Sequence, residues 1–473
     1  MIFNSITFIF YFLPVFLLVY FLLPKNMTLK NLWVIIGSIF FYSMGEYSYS
    51  WLLIVSILIN YAIGLFLGKK KKKWLLGIGV GLNLLILFYF KYLIFAISLI
   101  GNSNRLNISD IYLPLGISFF TFQGISYIVD VWRGDVKPEQ NIIHIGTYIV
   151  MFPQLIAGPI VRYKSIRSQL FERSVTVTRT AHGIFLFMTG LAYKVILADF
   201  FRVPANAAFN HIDGTVGALQ AWAGLLSYGF QIYFDFCGYS VMAVGLGLML
   251  GFVLPINFKY PYIAHSVTNF WRRWHITLSE WLRDYVYIPL GGSRVSNGRL
   301  YFNLWVVFIL CGLWHGAGLT FICWGIYHGF FLVIERWGKL ADIIKPPRII
   351  SILLTFIIVN IGWVLFRSPS IGYAGSYFLS LIRLNHGSGD QHFLLTHWTG
   401  YGIFITIVAI ILSTPFITRL FGIKSNMEVF TNPQVFSKIK HQWVLYAGAT
   451  IFFVYTIMLI LEGSYSSFIY FRF

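Results

Sequence analysis

Apolar windows long enough to span a bilayer recur from one end of this 473-residue chain to the other. Ile6 to Leu23, Trp51 to Leu67 and Trp74 to Ile100 each reach the ~18 to 20 residues that cross a hydrocarbon core as a helix. The pattern predicts an all-α, polytopic membrane protein. Only 11% of residues are charged and 58% are apolar, far from the roughly 25% charged of soluble proteins. No polar stretch is long enough to fold as a soluble partner, so residues 1–473 read as a single domain. The first apolar segment has no basic region before it and no small-residue cleavage site after it, and is expected to be a retained span.

Thirty-five Lys and Arg against 16 Asp and Glu give a net charge of +19. In a soluble protein that excess would suggest nucleic acid. Between membrane spans it is the ordinary signature of cytoplasmic loops, so no nucleic-acid partner is expected. The run Lys69 to Lys73 reads as a topological anchor beside anionic lipid. Cys237, Cys311 and Cys323 are odd in number, sit in apolar surroundings and lack ligand spacing, which predicts neither a disulfide framework nor a metal site.

The same charges orient the chain. Lys25 and Lys30, then Lys69 to Lys73, then Arg133 and Lys137 mark inside loops, which puts Met1 outside. Ile143 to Val161, broken by Pro153 and Pro159, is followed by basic Arg162, Lys164, Arg167, Arg173 and Arg179. A re-entrant segment fits this better than a simple crossing, because irregular backbone is tolerated at membrane depth where it lines a cavity. Gly183 to Phe201 carries Lys194 and Asp199, each costing ~2.5 to 3.5 kcal/mol if unpaired near a helix centre. An α-helix separates them by about 140°, which predicts that they do not pair directly. Between Thr215 and Pro255 only an odd number of crossings fits, so one of two apolar stretches is expected to be bent or re-entrant. Asp235 would lie at that break, as a functional carboxylate or as one satisfied by neighbouring backbone. The whole chain then makes about twelve crossings, with re-entrant and interfacial helices around a central tunnel and both termini outside.

Titratable and aromatic residues concentrate between Asn257 and His328. From Trp271, residues Trp274, Leu278, Trp281 and Tyr285 recur at helical spacing, with Arg272, Arg273, Arg283 and Asp284 elsewhere on the wheel. This predicts an amphipathic helix in the cytoplasmic interface, tryptophans at the lipid boundary. His275 there is either an interfacial residue or part of a site. Leu300 to Leu313 and Thr320 to Val333 form a predicted hairpin. His315 sits at its glycine-broken tip beside Trp314, with His328 in the returning limb. A histidine in an apolar hairpin suggests catalysis, transport, or a satisfied structural ring.

Several motifs here resemble the membrane-bound O-acyltransferase family, specifically its bacterial alginate O-acetyltransferase branch. They are Gln231-Ile232-Tyr233-Phe234-Asp235-Phe236, Phe270-Trp271-Arg272-Arg273-Trp274-His275, Trp281-Leu282-Arg283-Asp284-Tyr285, Tyr287-Ile288-Pro289-Leu290-Gly291-Gly292 and Leu313-Trp314-His315-Gly316. Phe3-Asn4-Ser5 and Phe468-Ile469-Tyr470-Phe471 extend the likeness to both ends. The chain departs from the pattern at Val241, where the branch usually has a carboxylate, and in its five lysines.

The resemblance implies transfer of an acyl group from a cytoplasmic donor through a membrane-embedded site to a hydroxyl of an extracytoplasmic polymer. His315 matches the catalytic histidine and His275 the second one, with Asp235, Trp314 and Asp284 in support. Acetyl-CoA, with no bound cofactor, is the expected donor, or an acyl carrier on the same cytoplasmic side. A secreted or membrane-anchored acetyltransferase is the expected outer partner, in a bacterial inner membrane. Deprotonating a hydroxyl near neutral pH suits an imidazole, and Arg272, Arg273 and Arg283 at the cytoplasmic interface suit donor phosphates. Tyr470, on a tail expected outside, could carry the acyl group in transit, or the tail could simply anchor at the lipid. A teichoic acid D-alanyltransferase is the alternative within the class. A proton-coupled transporter using Lys194, Asp199, Asp235 and His315 is the alternative outside it.

Overall fold

Backbone groups with no water to bind must bond to one another, and helices achieve this within a single segment. The computed structural model describes residues 1–100, 112–210, 216–337, 346–382, 390–422, 432–437, 439, 442–463 and 468–469. Within them the regular elements are helical. Among the described residues, seven helices are long and apolar enough to cross a membrane, and Thr7–Leu22, Ile371–Ile382 and Gly400–Leu412 are shorter apolar ones. The chain is an all-α, multi-pass membrane protein. Its described residues group into two compact units: Met1–Gly190 with Tyr239–Ile256 and Gly448–Gly463, and Leu191–Gly238 with Asn257–Ala447 and Ser464–Phe473.

The first unit begins with α1 (Thr7–Leu22), α2 (Met27–Tyr49), α3 (Trp51–Lys69) and α4 (Lys73–Leu99), then α5 (Ile117–Arg133). Small residues let these helices approach closely, as lipid offers no hydrophobic drive between them. Asn60 of α3 and Asn83 of α4 exchange amide hydrogen bonds of 3.3 and 3.0 Å, each satisfying a group that hydrocarbon cannot. The outer face of α4 leaves Leu85 and Tyr89 exposed to the lipid that such side chains require.

The expected re-entrant stretch is α6 (Ile142–Val150), a short turn Phe152–Leu155, and extended backbone leading to α7 (Tyr163–Phe171). Nine residues rise only about 14 Å, half of a hydrocarbon core, so α6 cannot cross alone. Arg173, expected as a loop charge, is instead buried. Its guanidinium donates to Asn31 Oδ1 at 2.7 Å, to the Tyr20 hydroxyl at 3.1 Å and to the Leu250 carbonyl at 3.0 Å.

Two long helices, α8 (Val177–Phe209) and α9 (Ala218–Met249), each contribute residues to both units. α9 corrects the expectation of a bend. Its 32 residues are one continuous helix of about 48 Å, not two stretches separated by a break. Asp235 therefore sits mid-helix and is buried. α8 corrects the expectation that Lys194 and Asp199 stay apart. Tyr193–Ala198 is a π-turn, in which main-chain bonds join residues five apart and bring them onto one face. Lys194 Nζ consequently lies 3.1 Å from Asp199 Oδ1.

The second unit continues with α10 (Val267–Trp271), α11 (Ile276–Leu282), α12 (Asn297–His315), α13 (Leu319–Trp337) and α14 (Arg348–Arg367). α12 and α13 form the predicted hairpin, and two glycines set how tightly it closes. A Cβ on Gly312 would sit 2.2 Å from the Phe321 carbonyl oxygen, and one on Gly325 would sit 2.2 Å from that of Phe308. Backbone thus meets backbone at the hairpin's crossing.

Candidate active site

The histidine of the basic tryptophan-rich segment sits at a break. The expected amphipathic helix is two short ones, α10 and α11, separated by Arg272 to His275, with a π-turn Arg283–Tyr287 after them. His275 has φ 41° and ψ 55°, a left-handed conformation that costs ordinary residues roughly 1–2 kcal/mol. Residues 257–259 hold it there. Asn257 accepts from the Ile276 N–H at 3.0 Å and, through its side chain, from the Thr277 hydroxyl at 2.7 Å. The Lys259 N–H donates to the Arg273 carbonyl at 2.9 Å.

The tryptophans also correct the interfacial picture. Trp271, Trp274 and Trp281 are buried within the protein, as is His275 itself. Indoles at helical spacing are compatible with a lipid boundary or a protein interior, and here Trp271 packs on Trp324 and Trp274 on Trp363. Burial pushes the His275 imidazole down to about 3, so the ring is neutral at physiological pH.

His315, the last residue of α12, is buried at the hairpin tip, as expected. Its ring centre is 6.4 Å from that of His275. Trp314 lies against both, 4.9 Å from His315 and 5.6 Å from His275. Trp324 and Phe366 pack on His315 at 5.1 and 5.2 Å, and Phe236 packs on His275 at 4.7 Å. The two imidazoles thus share an indole-lined, apolar wall.

A third histidine belongs to this cluster. His328 and Trp324, four residues apart on α13, share one helix face, with ring centres 4.9 Å apart. The Trp271 indole N–H donates to His328 Nδ1 at 3.4 Å, which assigns the remaining ring hydrogen of the neutral form to Nε2. The sequence places His328 in the returning limb. Its i, i+4 pairing with Trp324 was the available signal that it turns toward the same centre.

Glu335 carries no motif, yet it fastens α10 to α13. Its carboxylate accepts from the Val267 N–H at 2.6 Å, the Thr268 N–H at 2.9 Å and the Thr268 hydroxyl at 2.6 Å. The Ser266 hydroxyl takes the Asn269 N–H at 3.0 Å, so three N–H groups that a helix start leaves open are satisfied.

The expected supporting and donor-binding residues divide. Trp314 lies in the cluster. Asp284 accepts from Arg283 Nε at 2.7 Å, and that hydrogen bond raises the arginine's pKa above its already high value. Arg273 donates to Asn269 at 2.9 Å and to the Lys259 carbonyl at 3.1 Å, while Arg272 is exposed. Asp235 belongs to a separate charge cluster, with its Oδ1 2.6 Å from Lys194 Nζ. Tyr470 lies outside the described residues.

The sequence pattern of MBOAT, the membrane-bound O-acyltransferase family, matches residues 39–373. A probable alginate O-acetylase, AlgI, of Pseudomonas aeruginosa is 43% identical over 79% of this chain and 73% of its own length. The peptidoglycan O-acetyltransferase of Helicobacter pylori is 34% identical over 100% of this chain and 98% of its own. The teichoic acid D-alanyltransferase of Bacillus subtilis is 30% identical over 53% of this chain and 68% of its own.

Proposed function

This chain belongs to the membrane-bound O-acyltransferase family and is an acyltransferase, and from that premise we propose that it passes acetyl groups from a cytoplasmic donor across the membrane for O-acetylation of a cell-envelope polysaccharide. The observation that carries the reading is the pair of buried imidazoles, His275 and His315, set 6.4 Å apart against one wall of indoles. The acetyl branch is favoured over D-alanyl transfer because likeness to the acetyltransferases covers more of the chain.

His315 is the general base in this reading. As the acceptor hydroxyl oxygen attacks the acyl carbonyl carbon, its proton passes to a ring nitrogen of His315. Collapse of the tetrahedral adduct expels the donor sulfur as a thiolate, which takes that proton, leaving an ester, a free thiol and a neutral imidazole. Such base catalysis contributes ~10² to 10⁴ in rate. His275, neutral and fixed by its left-handed turn, positions the acyl group beside His315. The aromatic wall limits water, and so limits hydrolysis of a thioester.

Acetyl-CoA, or an acetylated carrier, is the donor on the cytoplasmic side. Arg272 and Arg273 meet its phosphates there; Arg283, already engaged by Asp284, contributes less. A tunnel carries the acyl group outward, and Tyr470, on an extracytoplasmic tail, takes it before a secreted or membrane-anchored partner moves it to the polymer. The setting is a bacterial inner membrane, with both termini outside. Lys194 is engaged by both Asp199 and Asp235, and Arg202 stands beside Asp199, so these charges are held in ion pairs, which favours acyl transfer over a proton-coupled transport route.

The test is ester-linked acetate measured in peptidoglycan and in exopolysaccharide, from cells with and without this gene. Loss of acetate from one polymer supports the reading and names the substrate; unchanged acetate in every envelope polymer overturns it. A Tyr470→Phe chain keeps the tail's aromatic character and removes the hydroxyl, so full acetylation in that variant removes Tyr470 from the pathway.

A further inference from the structure

Charges buried within long apolar helices need partners, and those of α8 and α9 find them in each other and in Phe468 and Ile469. Lys194 Nζ lies 2.6 Å from Asp235 Oδ1 and 3.1 Å from Asp199 Oδ1, and Arg202 Nε lies 3.6 Å from the same Asp199 oxygen. Lys194, Asp199 and Asp235 are buried, and the partly exposed Arg202 supplies the second cation that buried carboxylates need. The second oxygen of Asp235 is turned elsewhere. It accepts the main-chain N–H of Ile469 at 2.6 Å. The Lys194 ammonium also stands 5.2 Å from the centre of the Phe468 ring, and Phe468 is buried.

We propose that the Lys194–Asp235 ion pair is the receptor for the C-terminal tail, gripping it at Phe468 and Ile469 and so setting where the residues after them are delivered. The two halves of the grip read different chemistry. The carboxylate oxygen takes a main-chain N–H, which any residue but proline offers. The ammonium takes the face of an aromatic ring, which aliphatic residues lack. Lys194 and Asp235 are positioning residues here: they act on the tail through Phe468 and Ile469.

This assignment explains why costly charges are kept deep in two helices. A pair that only joined α8 to α9 would be replaceable by well-packed apolar residues, often without loss of stability. A pair that must also offer a carboxylate oxygen to a peptide N–H is not. It also distinguishes a docked tail from one lying loosely at the lipid surface. That the docked tail serves acetyl transfer rests on the proposed function; that it is docked does not.

The experiment uses the full-length protein in detergent and measures release of C-terminal residues by a carboxypeptidase, beside acetylation of envelope polymer in cells. Ile469→Pro removes the N–H and leaves the ion pair intact; Ile469→Ala keeps the N–H and serves as its control. Losing a hydrogen bond to a charged acceptor is expected to raise the tail's cleavage rate roughly tenfold to a hundredfold in Ile469→Pro, with Ile469→Ala remaining protected. Phe468→Leu, which keeps an apolar side chain but no ring face, is expected to raise it less.

The exchanged pair Lys194→Asp with Asp235→Lys separates tail binding from helix pairing. It restores opposite charges between positions 194 and 235, leaving Asp199 to Arg202 and to the new lysine, but places an ammonium where the tail N–H needs an acceptor. The proposal expects cleavage as fast as in Ile469→Pro. Equal protection of the tail in wild type and Ile469→Pro overturns the proposal, as does a protected tail in a folded exchanged pair. Should cleavage rise while acetylation stays intact, the receptor stands and the tail's part in acetyl transfer fails.

Discussion

His315 and His275 come from segments that share no helix, yet their rings lie 6.4 Å apart, both against Trp314. One is the end of a long hairpin limb; the other is the hinge of a left-handed turn. Their juxtaposition depends on three features, each of which can be perturbed singly: the turn, the carboxylate that fastens it, and the glycine crossing of the hairpin.

The turn is tested by His275→Asn. Asparagine is among the non-glycine residues that best tolerate positive φ, so the chain is expected to reach the membrane folded. It lacks the ring that packs on Phe236 and Trp314, and acetyl transfer is expected to fall by about two orders of magnitude, in the range of a lost positioning contact. Acetylation within a fewfold of wild type, at equal protein level, would show that only the backbone conformation of this residue matters.

The fastening is tested by Glu335→Ala. Three hydrogen bonds to one carboxylate are lost and two main-chain N–H groups lose their acceptor. Hydrogen bonds to charged groups contribute about 1.5–3 kcal/mol, and the expected result is a lower thermal midpoint in detergent with at least a tenfold loss of transfer. Glu335 touches neither His275 nor His315 among the contacts described, so Glu335→Gln, which retains acceptor oxygens, is expected to recover part of both. Wild-type activity in Glu335→Ala would remove α10 from the positioning of the site.

The crossing is tested by Gly312→Ala against Gly318→Ala. The first places a Cβ 2.2 Å from the Phe321 carbonyl oxygen, which cannot rotate away; the second meets only ordinary contacts, the nearest at 3.6 Å. Overpacking of this kind costs about 1–3 kcal/mol. Gly312→Ala should therefore unfold at lower temperature and transfer poorly, while Gly318→Ala unfolds as wild type does. Equal melting of the two variants would mean that the hairpin has room the geometry denies.

What the sequence made legible follows from the range over which each feature acts. Apolar length alone announced the helices, and glycines around Gly312-Leu313-Trp314-His315-Gly316 announced the hairpin tip, because both are local. Lys194 and Asp199 were misplaced because the angle between them assumes α geometry, and nothing in Tyr193 to Ala198 marks a π-turn. The Trp271 to Tyr285 periodicity was real, but periodicity does not report that His275 reverses the backbone, and so the indoles were assigned to lipid. A bend in α9 is expected because two apolar stretches lie where the flanking charges allow only an odd number of crossings, whereas the two are one continuous helix in which Lys194 and the Ile469 N–H satisfy Asp235 where it stands. Glu335 is invisible in the sequence, since its partners, two main-chain N–H groups and the Thr268 hydroxyl, lie 67 and 68 positions away.

The central claim is that the His315 imidazole is the base for acetyl transfer. It is tested most directly by His315→Gln, a polar side chain that cannot accept and hold a proton. Cells carrying only this variant, at wild-type level in the membrane and with a wild-type melting profile in detergent, are assayed for acetate released from their envelope polymers by mild alkali. The account predicts a fall of at least a hundredfold, in line with the ~10² to 10⁴ contributed by general base catalysis; ester-linked acetate at the wild-type level would contradict it.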